Sequence, residues 1–285
     1  MEIDGRRVLV TGASSGIGWE TARAFAAAGA EPIVVARRAE RLERLKEDIG
    51  GPATVIVADL STPGAAARVA EQAGPVDILV NNAGSETGGS VWAVGDRPEA
   101  RRMFEVDWWS PLALIAALVP GMRERGAGAV VNVTSIRQVL AWPSLGHSAA
   151  AKSALAQITE TLRLELGGTG VSVTEVIPGP VDTAALGASR LLPGLVELLD
   201  DTLGTGTAAE LAGLIVSAVH SGQDRVFYPA ATVERAYGHP AELRATIADA
   251  VGRITRLPDE VTDGLVVGPD HPMITEAKAA WEHAR

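Results

Sequence analysis

The chain has no cysteine among its 285 residues. That excludes disulfides, thiolate catalysis and cysteine-ligated metals. Positive charge is also short, with 25 Lys and Arg against 35 Asp and Glu and a formal net charge of −10. The acidic surplus is spread along the chain rather than gathered in a tail. It argues against nucleic acid and anionic membrane surfaces as partners. No stretch approaches the roughly 20 uninterrupted apolar residues that a membrane span needs. The opening Met1-Glu2-Ile3-Asp4-Gly5-Arg6-Arg7 has no apolar core of a secretory signal. The histidines at 220, 239, 271 and 283 lack metal-ligand spacing, so no metal site is expected. There is no internal repeat and no low-complexity linker. What remains is an acidic globular chain, 47% apolar, long enough to bury a sizeable core and expected in the cytoplasm.

Against these absences stands one turn. Val8-Leu9-Val10-Thr11 runs into Gly12-Ala13-Ser14-Ser15-Gly16-Ile17-Gly18, and a helix-forming stretch follows from Trp19 to Ala28. A strand feeding a helix through such a loop leaves backbone N–H groups aimed one way. The helix dipole adds partial positive charge there, which suits a pyrophosphate. A tight turn alone would also explain the glycines; the flanking strand and helix favour nucleotide binding. The spacing Gly-x-x-x-Gly-x-Gly differs from the common G-x-G-x-x-G fingerprint.

Short apolar runs then alternate with helical patterns. Strands are expected over Arg7–Val10, Pro32–Ala36, Ala53–Val57, Asp77–Val80, Ala129–Val133, Ser172–Ile177 and Arg225–Tyr228. Helices are expected over Gly16–Ala28, Ala39–Ile49, Gly64–Ala73, Pro98–Arg125, His147–Leu166 and Ala208–Ser221. Strict alternation implies a single α/β domain over 1–285: a doubly wound, Rossmann-type parallel sheet of about seven strands with helices on both faces. Its ligand site lies beyond the carboxyl ends of the strands. The second strand ends in Arg37-Arg38, where an acidic residue would hold a ribose 2′-hydroxyl. Arginines there suit a 2′-phosphate, so NADP is favoured over NAD. The bland reading makes both the start of a solvated helix. Asp59 after the third strand suits an adenine amino group or a simple turn. Asn81-Asn82-Ala83-Gly84 after the fourth can tie strand ends together and offer a flat seat for a ribose.

These motifs, with Ser135, Lys152 and Pro178-Gly179-Pro180-Val181-x-Thr183, resemble the short-chain dehydrogenase/reductase family in content and in order. The resemblance covers roughly residues 5–230. It places cofactor contacts at Gly12, Ser14, Ser15, Gly16, Ile17, Gly18, Arg37, Arg38, Asp59, Leu60, Asn82, Ala83, Gly84, Lys152, Pro178, Gly179, Val181 and Thr183. In that family a tyrosine four residues before the lysine donates or accepts the substrate proton. The lysine lowers its pKa and binds the nicotinamide ribose. A serine holds the substrate oxygen, and an asparagine holds a water leading to the lysine. Here Ser135 and Lys152 are kept, whereas the tyrosine falls on Ser148 and the asparagine on Asp107. The chain's two tyrosines, Tyr228 and Tyr237, lie outside that helix.

A phenol titrates near pKa 10, within reach of a lysine cation, but a serine hydroxyl is a far weaker acid. If Asp107 approaches Lys152, its carboxylate would also offset the field of the ammonium. His147 is a candidate proton donor, although adjacent helical residues point about 100° apart. The lost ring leaves room, with Arg137 and Gln138 lining the pocket or its rim. The catalytic set is therefore Ser135, Ser148, Lys152, Asp107 and His147. The apolar segment 184–205 resembles a substrate lid and suggests a hydrophobic substrate, although a packed core helix explains its apolar character equally well. Residues 231–285 form an extension, broken at His239-Pro240 and Gly268-Pro269, expected to pack on the lid or a partner subunit.

The expected function is NADP(H)-dependent oxidation or reduction of a carbonyl/alcohol pair on a small, fairly hydrophobic molecule. The alternatives are a non-redox enzyme on the same scaffold (a dehydratase, isomerase or cyclase) or a catalytically silent NADP-binding protein. A homodimer or homotetramer through the helices Pro98–Arg125 and His147–Leu166 is implied by the resemblance.

Overall fold

The computed structural model describes residues 1–184, 186 and 200–253, together with 266, 272, 275, 276 and 279. Its strands are β1 (Arg7–Thr11), β2 (Glu31–Ala36), β3 (Thr54–Val57), β4 (Ile78–Asn81), β5 (Gly128–Val133), β6 (Val171–Pro178), β7 (Val181–Asp182), β8 (Gly206–Thr207) and β9 (Arg225–Tyr228). Seven of them form one sheet in the order β3-β2-β1-β4-β5-β6-β9, every neighbouring pair parallel. Each of the seven expected strands is present, with ends shifted by no more than one residue. The order reverses between β1 and β4, which makes their carboxyl ends the topological switch point.

The connecting helices are α1 (Gly16–Ala27), α2 (Ala39–Ile49), α3 (Ala65–Ala73), α4 (Val91–Val94), α5 (Pro98–Phe104), α6 (Ser110–Glu124), α7 (Gly146–Glu165) and α8 (Ala208–Ser221). They cover both faces, so the strands read as nearly continuous apolar runs. Alternation along β1 sends Val8 and Val10 to one face, with Phe25, Leu42, Leu45, Leu211 and Ile215. It sends Leu9 to the other, with Val69, Leu114, Leu118, Met122 and Leu162. Each such fully buried side chain contributes about 1.5–3 kcal/mol relative to exposure.

Two features were not expected. The helix read as continuous over Pro98–Arg125 is interrupted by a π-helical turn, Glu105–Trp109, between α5 and α6. Such turns add a residue to the helix and re-aim a side chain, often at functional sites. Taken end to end, Pro98–Glu124 is long and apolar enough to cross a membrane, the one helix among the described residues that is. Its apolar stripe, however, is packed against α3 and the sheet.

The second feature is the extension. Helices α9 (Ala230–Gly238) and α10 (Pro240–Arg253) follow β9, with the break at His239 as expected. They pack on the described 200–205 end of the expected lid, at Leu203, and on the segment after β5. Val233, Ala236, Leu243 and Ile247 pack on Ile136, Leu140, Trp142, Ile177 and Leu203. The side chain of Arg244 also donates to the Val139 carbonyl, through Nε at 3.0 Å and Nη2 at 2.8 Å. The extension thus braces the segment after β5. Most of the expected lid, and the break at Gly268-Pro269, lie outside the described residues.

Candidate active site

At the switch point the backbone itself is knitted. Thr11 Oγ1 donates to the Val80 carbonyl at 3.3 Å and accepts from the N–H groups of Asn82 and Ala83, both at 3.0 Å. Asn82 Nδ2 donates to the Thr11 carbonyl at 2.9 Å. Asn82 therefore clamps the tips of β1 and β4. Gly12 (φ +70°) leaves no room for a side chain, since a Cβ there would lie 2.8 Å from Ala83 Cα. A Cβ at Gly18 would collide with the Asn82 amide and the Gly12 carbonyl. Asn81 continues the tie inward, with Nδ2 donating to Asn132 Oδ1 at 2.8 Å and Asn132 Nδ2 to Thr159 Oγ1 at 2.9 Å.

The first turn of α1 has no side-chain cap from Ser15 and no acidic residue. Its N–H groups thus keep the donor capacity and the dipole that an anionic pyrophosphate would use. Gly16 (φ +56°) faces Thr183, whose Cγ2 would lie 3.0 Å from a Cβ there. Thr183 is buried and its hydroxyl donates to the Val181 carbonyl at 3.2 Å. The loop 178–183 is thereby held over the glycine-rich turn. Gly179 N–H donates to the Tyr228 carbonyl at 2.7 Å, fixing the Pro178 end of that loop on β9.

Arginines gather at the end of β2 as expected, but with a change of cast. Arg38 reaches Ser14 through Nη2, 3.2 Å from Oγ and 3.3 Å from the carbonyl. Arg41 reaches the same carbonyl through Nε at 3.3 Å and lies over the Trp19 ring, 5.1 Å from its centroid. Arg37 stands exposed at the strand end. Arg41 was missed because it reads as the solvated face of α2; its spacing of three from Arg38 was the available signal. Asp59 accepts from the Ser61 N–H at 2.9 Å and the Ser61 hydroxyl at 2.8 Å, as a turn residue does. The buried Leu60 offers its carbonyl to Ser110 Oγ at 2.9 Å.

The opposite end of the groove is built from charge. Lys152, on α7, lies 3.0 Å from Asp107 Oδ1 and donates to the Val133 carbonyl at 3.1 Å. Asp107 is 1% exposed, carried inward by the π turn, and its Oδ2 accepts the Ser85 N–H at 2.8 Å. Burial pushes its carboxyl above the ordinary carboxylate range, opposed by the Lys152 ammonium and the Ser85 N–H. A Cβ on Gly84 would sit 3.5 Å from Asp107 Oδ1 and 3.7 Å from Lys152 Nζ, so Ala83-Gly84 forms a shelf beside this pair.

One turn before Lys152, Ser148 is 2% exposed. Arg137 Nη1 donates to its Oγ at 3.1 Å, and Arg137 Nη2 lies 2.5 Å from Glu86 Oε1. The guanidinium thus stands against the serine at the position where the sequence resemblance puts the family's tyrosine. Ser135 caps the short 3₁₀ turn Ile136–Gln138 by accepting the Arg137 N–H at 3.2 Å. Both amide atoms of Gln138 are buried without a hydrogen-bond partner among the described residues. His147 is turned away to the Gly95 carbonyl, 2.8 Å from its Nε2. The structure thus brings together Lys152, Asp107, Ser148 and Arg137, and directs His147 elsewhere. Sequence reasoning missed Ser85 and Glu86, which directly follow the Asn-Asn-Ala-Gly motif. Nothing in their own residue types announced partners more than 20 positions away. Among the described residues no cluster of His, Asp and Glu could hold a metal ion.

A sequence model of short chain dehydrogenases matches residues 6–191. A short chain dehydrogenase of Pseudocercospora fijiensis is 40% identical over 195 residues, covering 64% of this chain and 62% of the relative. The chain spans about 58–62% of the length of the first curated relatives it matches. Among solved structures, a short-chain dehydrogenase from Streptomyces avermitilis superposes with a TM-score of 0.72 at 32% identity, over 89% of this chain and all of the other. The L-sorbose reductase of Gluconobacter frateurii, complexed with NADPH and L-sorbose, superposes with a TM-score of 0.69 at 27% identity, over 80% and 97%.

Proposed function

The chain belongs to the short-chain dehydrogenase family, and from that premise we propose that it is an NADP(H)-dependent oxidoreductase for a carbonyl/alcohol pair on a fairly hydrophobic small molecule. The observation that carries the cofactor choice is the pair Arg38 and Arg41 converging on Ser14 beside the glycine-rich turn. A guanidinium fork suits a 2′-phosphate. NADPH in the related sorbose reductase supports the same choice. The pyrophosphate would rest on the N-terminus of α1, the riboses on Asn82-Ala83-Gly84 and Lys152, and the carboxamide on Val181 and Thr183.

When bound, the reduced cofactor supplies a hydride to the carbonyl carbon. This chain's residues must then hold the oxygen and bring it a proton. Ser135 and Ser148 can hydrogen-bond the oxygen, and the Arg137 guanidinium on Ser148 would stabilise negative charge as it develops there. The proton would come from Ser148 or from water, because His147 is held on the Gly95 carbonyl. Lys152 is neutralised by Asp107, so its role here is to bind ribose more than to acidify a neighbour.

Purified protein with NADPH and a panel of ketones should lose absorbance at the nicotinamide band. No turnover with any carbonyl would sink the redox reading, and product formed with the cofactor unchanged would point to dehydration, isomerisation or cyclisation. On the same reading the protein is a homodimer or homotetramer through α5, α6 and α7, where Trp109 is exposed. Light scattering at micromolar concentration would test it.

A further inference from the structure

We propose that Arg137 and Ser148 form a receptor for a carboxylate on the substrate, and that Glu86 fills this receptor in the free protein. The proposal deepens the functional reading above, since it assumes that the groove beside Lys152 takes the substrate.

The geometry starts from the guanidinium. Nη1 is fixed on Ser148 Oγ at 3.1 Å, and Nη2 holds Glu86 Oε1 at 2.5 Å. Ser148 is almost fully buried, so Arg137 has to reach inward to touch it. The side chains of Arg137 and Glu86 keep 28% and 25% of their exposure, so the pair faces the open side of the groove. A planar fork binding a carboxylate is among the strongest polar contacts a side chain makes. A site meant only for a neutral ketone has no use for such a cation where the family's proton donor would stand.

The charge balance points the same way. Asp107 already neutralises Lys152. That leaves Arg137 as the cation at Ser148, and Glu86 as the anion that answers it. A substrate carboxylate replacing Glu86 keeps the balance. A neutral substrate would either meet Glu86 still in place or leave a partly desolvated guanidinium unpaired, which costs binding.

Glu86 is also placed to leave. Its neighbours are anchored, Ser85 N–H on Asp107 and Thr87 Oγ1 on the Glu99 carbonyl at 3.3 Å. The loop can therefore stay still while one side chain changes rotamer. The substrate class that fits is an oxo or hydroxy acid, with the apolar body that the functional reading above already gives it.

The test is calorimetric titration with octanoate and octanamide, in the presence and absence of saturating NADP⁺. The parent protein should bind octanoate tighter by about tenfold or more, the scale of a hydrogen bond to a charged group. Arg137→Gln should erase that preference, and Arg137→Lys should restore part of it. Glu86→Gln should tighten octanoate several-fold by removing the internal competitor. Thermal melts confirm that each variant is folded. Equal affinity for the two probes, octanoate affinity unmoved in folded R137Q, or no octanoate binding by protein that takes NADPH would each overturn the proposal. Arg137-dependent octanoate binding by protein that does not take NADPH would keep it and remove the redox reading instead.

Discussion

At the β1–α1 end of the groove the fit is set by backbone. Thr11, Asn82 and Ala83 exchange hydrogen bonds, and Gly12 and Gly18 admit no side chain. At the α7 end it is set by charged side chains: Asp107 with Lys152, and Glu86 with Arg137 on Ser148. A backbone seat tolerates little change, because every side chain added there meets main chain. A seat made of side chains can be rewritten one residue at a time. By the resemblance read from the sequence, the family's pattern runs through the first end, while at the second Ser135 and Lys152 match it and Ser148 and Asp107 do not.

The largest effect should come from rewriting the second end backwards. Ser148→Tyr combined with Arg137→Ala returns a phenol one turn before Lys152 and removes the guanidinium that stands against that position. Carbonyl reduction with NADPH should rise by about 10²–10⁴-fold, the usual contribution of a positioned general acid. The single variant Ser148→Tyr should gain less, because the ring must displace Arg137. No gain in a folded double variant would mean that the two ends differ by more than these residues.

Next in size is the ion pair. Lys152→Met leaves Asp107 buried without its cation and should cost about 3–5 kcal/mol in urea unfolding. Adding Asp107→Asn should return much of that loss. Equal losses with and without Asp107 would show that the two groups do not interact.

The first end is probed by Arg38→Ala and Arg41→Ala. Each should weaken NADPH by roughly 10–100-fold, corresponding to about 1.5–3 kcal/mol for bonds to a charged group, and leave NADH nearly unchanged. Nicotinamide fluorescence titration reads both. Equal losses for the two cofactors would remove the assignment of these arginines to the 2′-phosphate.

The smallest expected effect is a pH slope. Burial raises the Asp107 carboxyl in the folded chain, so the native state holds that proton more tightly than the unfolded state does. Its contribution to stability is then greatest below the unfolded value, near pH 4, and is lost as pH rises through the raised native value. Melting temperatures of Asp107→Asn and the parent should diverge in favour of the variant between pH 4 and pH 7. A gap that widens toward acid instead would reverse the direction assigned to Asp107.

The difference between the two ends also governs what could be read before the fold was known. The strands, the glycine-rich turn and the Asn81-Asn82 tie are local patterns of apolar period and turn chemistry, and they sit where the pattern puts them. Asp107 was legible as a substitution, but not the π turn that carries it inward, since the apolar period of Pro98–Arg125 shows no break. The partnership of Arg137 with Glu86 joins residues 51 apart in sequence, one after β4 and one in the 3₁₀ turn after β5. Arg41 looked like one more charge on a solvated helix until the fold laid it against Ser14. Contacts of this kind depend on where the sheet brings its strand tips, and no single segment encodes that.

The packing of α9 and α10 on the segment after Ser135 has a consequence for how such a protein diverges. Arg244, more than 100 residues further along, holds the Val139 carbonyl, and the apolar faces of these helices pack on Leu140 and Trp142. Changes far down the chain can therefore reshape the segment that carries Ser135 and Arg137 without any substitution in that segment itself.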